Sequence, residues 1–328
     1  MIGWRKAETI MDIRRKAVRD VLLRVNEVIL GKERLTLEVL AALLAGGHVL
    51  LEDMPGVGKT TLAVAFAKLL GLDWKRVQFT PDVLPSDLTG FSVYRRDLEK
   101  FVYQPGAVFC SLLLADEINR TSPKTQSALL EVMEERQVTV EGETRSLPEP
   151  FFVIATQNPA GAVGTQLLPP AQMDRFMIRT AIGYPDFESE CAMARGADST
   201  RRADALEALM DAQALRAVRR EVEAVFVHDA VARYAVRLID ATRRSPYLEY
   251  GASPRGTLAL VRMAKASAWL QGHGFVAPAD IAEQFLPCTN HRVQRSVRAQ
   301  MENMELEAIL GRILEETPRP KLREKSES

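Results

Sequence analysis

Val49-Leu50-Leu51-Glu52-Asp53-Met54-Pro55-Gly56-Val57-Gly58-Lys59-Thr60-Thr61 decides how this chain is read. An apolar run leads into a glycine-bearing loop, and the helix-like pattern Leu62-Ala63-Val64-Ala65-Phe66-Ala67 follows. A strand, a Gly-rich loop and a helix N-terminus together form a phosphate cradle, because glycines let backbone N–H groups approach the oxygens and the helix dipole favours negative charge. The spacing predicts that Pro55, Gly56, Val57, Gly58, Lys59, Thr60 and Thr61 hold the phosphates of ATP or GTP, with Lys59 reaching the β and γ oxygens and the Thr60 hydroxyl on Mg²⁺. Asp53 stands where the full pattern has glycine; Pro55 and the two remaining glycines can still shape the turn.

Outward from the loop, Leu112-Leu113-Leu114-Ala115 ends in Asp116-Glu117. That order predicts two carboxylates at the carboxyl end of a buried parallel strand, Asp116 for the Mg²⁺ shell and Glu117 as base for an attacking water. Two acids after a strand also suit a solvated helix N-terminus. A third apolar run, Phe151-Phe152-Val153-Ile154-Ala155-Thr156, ends at Gln157-Asn158-Pro159. Asn158 could orient the lytic water beside Glu117, and Asn before Pro equally opens an ordinary turn.

These blocks, with Val77-Gln78-Phe79-Thr80-Pro81-Asp82, Asp116-Glu117-Ile118-Asn119-Arg120, Lys124-Thr125-Gln126, Met173-Asp174-Arg175-Phe176 and Gly251-Ala252-Ser253-Pro254-Arg255-Gly256, resemble the MoxR family of AAA+ ATPases from about Val21 to about Arg292. The resemblance implies Asn158 at the sensor-1 position, Arg175 as the arginine finger reaching a neighbouring subunit's γ-phosphate, and Arg255 as a sensor-2 arginine acting on its own subunit's nucleotide. It places Ile29 and Gly31, within Val28-Ile29-Leu30-Gly31, beside the adenine. Arg120 is a candidate for a second intersubunit contact. Arginine suits such roles because its fixed charged fork stabilises charge on a transferring phosphoryl group, whereas an unplaced surface arginine is an ion pair of little worth. Before the finger, the chain departs from the Tyr-Pro-Leu-Pro-Glu version that relatives resemble, and Pro170 replaces its acid.

The expected fold is α/β: a P-loop NTPase (AAA+) parallel sheet sandwiched by helices, then an all-α lid. Residues 1–20 read as an N-terminal leader or helix, with Met11 a second possible start, 21–183 as the nucleotide-binding domain, 184–316 as the helical lid and 317–328 as a disordered tail. Gly183-Tyr184-Pro185-Asp186 is the expected hinge, beyond which strand signals vanish. Two hairpins are predicted inside the core, one in residues 90–105 and one in 137–147. Their positions resemble inserts that contact a ring's client, and inert surface loops would read the same. Phe91, Tyr94, Phe101 and Tyr103 are the residues to test there.

Composition narrows the setting. The 328 residues carry 43 basic and 43 acidic side chains, so no basic excess points to nucleic acid. No apolar run spans a bilayer and no export signal opens the chain. Cys110, Cys191 and Cys288 lack metal spacing and fit a reducing, cytoplasmic compartment. His291-Arg292 reads as charge at a helix C-terminus. The resemblance implies a ring, a hexamer, that hydrolyses ATP and remodels a protein client, often one with a von Willebrand factor A domain. A nucleotide-gated scaffold with little hydrolysis and a DNA-acting motor are the alternatives.

Overall fold

The computed structural model describes residues 2–54, 56–158 and 168–320, with backbone alone for 2–10. The expectations placed on Pro55, Pro159 and the tail beyond 320 lie outside the described residues.

α1 (Ile2–Val28) is one continuous helix, so the division drawn at residue 20 falls inside it. Val18, Val21, Val25 and Val28 recur at helical spacing and are buried, which gives α1 an apolar stripe against the core. α2 (Glu33–Leu44), β1 (Val49–Glu52), α3 (Lys59–Leu69), β2 (Trp74–Gln78) and α4 (Pro85–Thr89) follow. A hairpin of β3 (Phe91–Arg95) and β4 (Lys100–Gln104) precedes β5 (Leu112–Asp116). Then come α5 (Pro123–Glu135), a second hairpin of β6 (Gln137–Val140) and β7 (Glu143–Ser146), β8 (Phe152–Gln157), α6 (Pro170–Met173) and β9 (Ile178–Thr180). Glu141 and Gly142 both take positive φ, so the second hairpin closes in a two-residue turn. Its second strand therefore starts at Glu143, inside the 137–147 stretch read as a hairpin.

The sheet runs β2-β5-β8-β1-β9 with every pairing parallel. All of β5 and β8 is buried, as expected of strands covered on both faces. Parallel order sets what each edge carries: the carboxyl edge gathers residues 53–54, 56–58, 116–117 and 158, and the amino edge gathers residues 46–48 and 175–177.

Beyond Gly183 the chain is mostly helical: α7 (Phe187–Ala194), α8 (Ser199–Asp204), α9 (Ala212–Glu223), α10 (Asp229–Arg244), α11 (Pro254–Gln271), α12 (Pro278–Thr289), α13 (Val297–Met301) and α14 (Leu306–Glu316). It is not purely α. β10 (Leu248–Tyr250) pairs antiparallel with β11 (Gln294–Arg295), strands too short and too far apart in sequence to show an alternating pattern. One apolar cluster runs without a break from Val39, Leu62 and Phe66 of the core to Leu238, Leu260 and Phe285 of the lid.

Candidate functional site

At the carboxyl edge, Gly56 (φ 87°) and Gly58 (φ 95°) hold left-handed backbone, and a Cβ on either would meet nothing within 4 Å. The glycines thus serve the turn, the space a side chain would take at each is open, and Gly58 caps the N-terminus of α3. Lys59 is buried and its Nζ donates to the Asp53 carbonyl at 2.9 Å, inside the loop it would serve. Thr60 and Thr61 are half-buried on the first turn. A cavity of about 440 Å³ joins Gly56, Gly58 and Thr61 to the apolar Val28, Ile29 and Val57, a glycine-loop end and an apolar end in one space. Gly31 (φ 68°) holds left-handed backbone, and a Cβ there would lie 2.6 Å from Asp186 Oδ2 and 2.8 Å from Ser189 Oγ. A larger cavity, about 660 Å³, lies between α1, α2 and the lid helices α11, α12 and α14. It is leucine-lined and brings no phosphate-handling loop, so the smaller cavity is the candidate site.

Asp53, the departure from the glycine pattern, has a structural role. Its carboxylate accepts N–H groups of Ile182 and Gly183, the latter at 2.9 Å, which ties the loop to the segment leaving β9.

Beside the loop, Asp116 is buried and its two oxygens accept from Thr156 Oγ1 and Arg76 Nη2, each at 2.6 Å. Glu117 sits in left-handed backbone (φ 57°, ψ 48°), uncommon for a residue with a side chain. Its Oε1 accepts from Asn158 Nδ2 at 3.1 Å; its Oε2 accepts from Gln78 Nε2 at 2.9 Å and Arg120 Nη1 at 2.8 Å. Burial pushes the Glu117 carboxyl up, but the hydrogen bonds from Arg120 and Asn158 and the Arg120 charge together outweigh it, and the group lies below its ordinary value. Asn158 Oδ1 is buried without a partner among the described residues, an acceptor suited to a water. Arg120, expected at an intersubunit contact, here holds its own subunit's Glu117. The sequence reading missed Arg76, Gln78 and Thr156; the one available signal was register, since β2 ends with Gln78 opposite Asp116.

The hydroxyl of Thr60 and the carboxylate of Asp116 are the hard oxygen donors Mg²⁺ takes. Asp116 is engaged by Thr156 and by Arg76, whose side chain is 46% exposed, so these residues fit a metal if Arg76 gives way to it.

Arg175 and Arg255 are elsewhere. Met177, before β9, donates its N–H to the carbonyl of His48, before β1, at 2.8 Å. Both residues therefore mark the amino edge. Rising about 3.3 Å per residue, β1 separates His48 from Asp53 by roughly 17 Å. At this edge Arg175 Nη1 lies 3.4 Å from Glu134 Oε2, and Arg255 Nη2 donates to Glu134 Oε1. The structure thus corrects the expectation that Arg255 acts on its own subunit's nucleotide: an entire strand length lies between them, and Arg255 shares the Glu134 carboxylate with Arg175. Glu134, Arg175 and Arg255 are each partly exposed.

His291 and Arg292 are corrected as well. Neither is a solvated helix charge. Both are buried against the segment carrying Arg175, and His291 Nε2 donates to the Phe176 carbonyl at 3.0 Å. Burial, with the Arg292 charge beside it, holds His291 neutral, well below its ordinary value.

Tyr103 is engaged too: its hydroxyl donates to the Thr89 carbonyl and Arg145 stacks 3.8 Å from its ring centre, joining the two hairpins. Phe91, Tyr94 and Phe101 are exposed. Among the described residues, no helix is long and apolar enough to cross a membrane.

The chain matches the ATPase family associated with various cellular activities (AAA) over residues 48–178 and the AAA lid domain over residues 240–313. It is 46% identical over 291 residues to protein YeaC of Bacillus subtilis (strain 168), covering 88% of this chain and 91% of that one. To Chaperone MoxR1 of Mycobacterium tuberculosis it is 38% identical over 311 residues, 92% of this chain and 82% of that one. A crystal structure of a candidate ATPase from Cytophaga hutchinsonii superimposes with a TM-score of 0.89 at 35% identity, covering 98% of this chain and 100% of that one.

Proposed function

We propose, starting from the fact that the chain belongs to the MoxR family of AAA+ ATPases, that it hydrolyses ATP to ADP and phosphate in a head-to-tail ring, a hexamer, and uses the cycle to remodel a protein client. One observation carries the reading. The cradle with Glu117 and Asn158 occupies one edge of the sheet, and Arg175 with Arg255 occupies the other, so the two halves of a phosphoryl-transfer site can meet only between subunits. Heterologous contacts of this kind close into rings.

In this site Gly56, Gly58 and Lys59 hold the phosphates, and Ile29 and Val57 flank the base. Glu117, charged at neutral pH, takes the proton of a water that Asn158 orients. Thr60 and Asp116 hold Mg²⁺, which when bound neutralises charge on the phosphate oxygens. Arg175 and Arg255 from the neighbour stabilise charge on the transferring group, and neither contributes to its own subunit's turnover.

The exposed Phe91, Tyr94 and Phe101 are the client-facing residues, and a von Willebrand factor A domain protein is the kind of client the family suggests. A cytoplasmic setting agrees with three free cysteines.

The test is ATP turnover against protein concentration for wild type, Arg175→Ala, Glu117→Gln and an equimolar mix of the two variants. Turnover per subunit that rises with concentration, and activity recovered in the mix, is the expected result. A wild-type rate independent of concentration with no recovery sinks the shared site.

A further inference from the structure

We infer that Arg292 is a positioning residue for hydrolysis in the neighbouring subunit: through Asp174 it locks Arg175 and Arg255 into one rigid unit carried by the lid. This rests on the shared-site reading above.

The Arg292 side chain is 2% exposed. Its Nε donates to Asp174 Oδ1 at 2.8 Å, its Nη1 to the carbonyls of Met177 at 3.1 Å and of Cys288, and its Nη2 to the carbonyls of Asp174 at 3.1 Å and of Phe176. One guanidinium from the lid thus grips the residue before the finger and the two residues after it. The planar fork of arginine can span such a set of acceptors; the point charge of lysine cannot. The other Asp174 oxygen accepts from Ser253 Oγ at 2.8 Å. Ser253 caps α11, and Arg255 is the second residue of that helix. Asp174 therefore gives one oxygen to the anchor of each arginine. The stem of Arg292 also lines α11, where a Cβ on Gly256 would approach its Cδ to 3.1 Å.

A buried ion pair is a poor device for stability alone, since well-packed apolar residues of similar volume often serve as well. What this pair supplies is geometry. Arg175 and Arg255 converge on Glu134 from different domains, and a reaction across an interface tolerates only about half an ångström of misplacement. With Arg292 in place, the lid and the finger move as one body.

The experiment uses Arg292→Lys and Asp174→Asn, each first checked for a wild-type circular dichroism spectrum and melting curve. Each is assayed alone and mixed with Glu117→Gln, beside the Arg175→Ala and Glu117→Gln mix. Alone, each variant should lose about tenfold or more in kcat with KM for ATP unchanged, because its own nucleotide cavity is intact. In an equimolar random mix, about one quarter of interfaces pair a sound finger with a sound base, so turnover should return to about a quarter of wild type. Full activity of both variants alone overturns the inference. So does failure of both mixes to recover while the Arg175→Ala mix recovers, which would place the Arg292 effect in its own subunit. Failure of the Arg175→Ala mix itself would instead overturn the shared site on which this inference stands.

Discussion

At the carboxyl edge of the sheet, Gly56 and Gly58 face open space and Glu117 hangs on a changeable set of side chains; at the amino edge, His48, His291 and Arg292 are buried with hydrogen bonds fixing them to carbonyls and N–H groups. The first edge is built to receive something and to let a carboxylate change partners. The second is built to hold two arginines still. The proposed reaction shared between subunits would need both: a cavity that adapts to its ligand and a catch whose geometry is set before the neighbour arrives.

If the amino edge is rigid because its polar groups are buried and paired, acid should damage it first. His48 accepts from Val153 N at 2.9 Å and donates to the Met133 carbonyl at 3.1 Å, joining β8 to the end of α5 one residue before Glu134. Burial holds His48 down to about 4, with the charges of Arg136, Arg262 and Arg219 also lowering it. The folded state thus stays neutral where the unfolded chain takes up a proton. Stability from this group is complete above the ordinary histidine value and is lost as pH falls from there toward about 4. Two and a half units correspond to about 3 kcal/mol. Urea unfolding across that window should show the loss, and His48→Gln should flatten the slope. An equal slope in the variant would place the acid sensitivity elsewhere, with His291 the next group to examine.

A smaller effect belongs to the other edge, where Asp53 ties the loop to the hinge. Asp53→Gly restores the usual glycine and removes the acceptor of two N–H groups, at a cost of about 1–3 kcal/mol. The urea midpoint should fall. Unchanged or greater stability would mean that the loop prefers glycine and is not tied to Ile182 and Gly183.

The contrast between edges also explains what the sequence made legible. Lys59, Asp116, Glu117 and Asn158 could be placed because each follows its own apolar strand, and parallel order carries strand ends to one side. Arg292 could not: its partners at Asp174, Phe176 and Met177 lie 115 to 118 residues away and are mostly carbonyls, which carry no residue-type signal. Arg76 and Gln78 were given no role, because only the pairing of β2 with β5 brings their side chains to Asp116 and Glu117. The placement of Arg255 failed for a related reason. Matching a motif assigns a residue to a role, but only the topology shows which edge it occupies.

The smallest effect sharpens the claim that Glu117 is adjustable. Arg120 contributes both a hydrogen bond and charge to holding that carboxyl low, against the upward push of burial and of Asp116. Arg120→Ala leaves those upward effects less opposed, so the Glu117 carboxyl rises toward its ordinary range. Because the base must be deprotonated, the acid limb of kcat/KM should move to higher pH while the plateau at neutral pH stays within about a few-fold of wild type. The same change makes the stability contributed by Glu117, present above its unfolded value and lost as pH falls through its lower folded value, smaller. A plateau that collapses, with recovery on mixing with Glu117→Gln subunits, would show a different arrangement: Arg120 would belong with Arg175 and Arg255 at the shared interface, and its bond to Glu117 would be the state of a subunit without a neighbour.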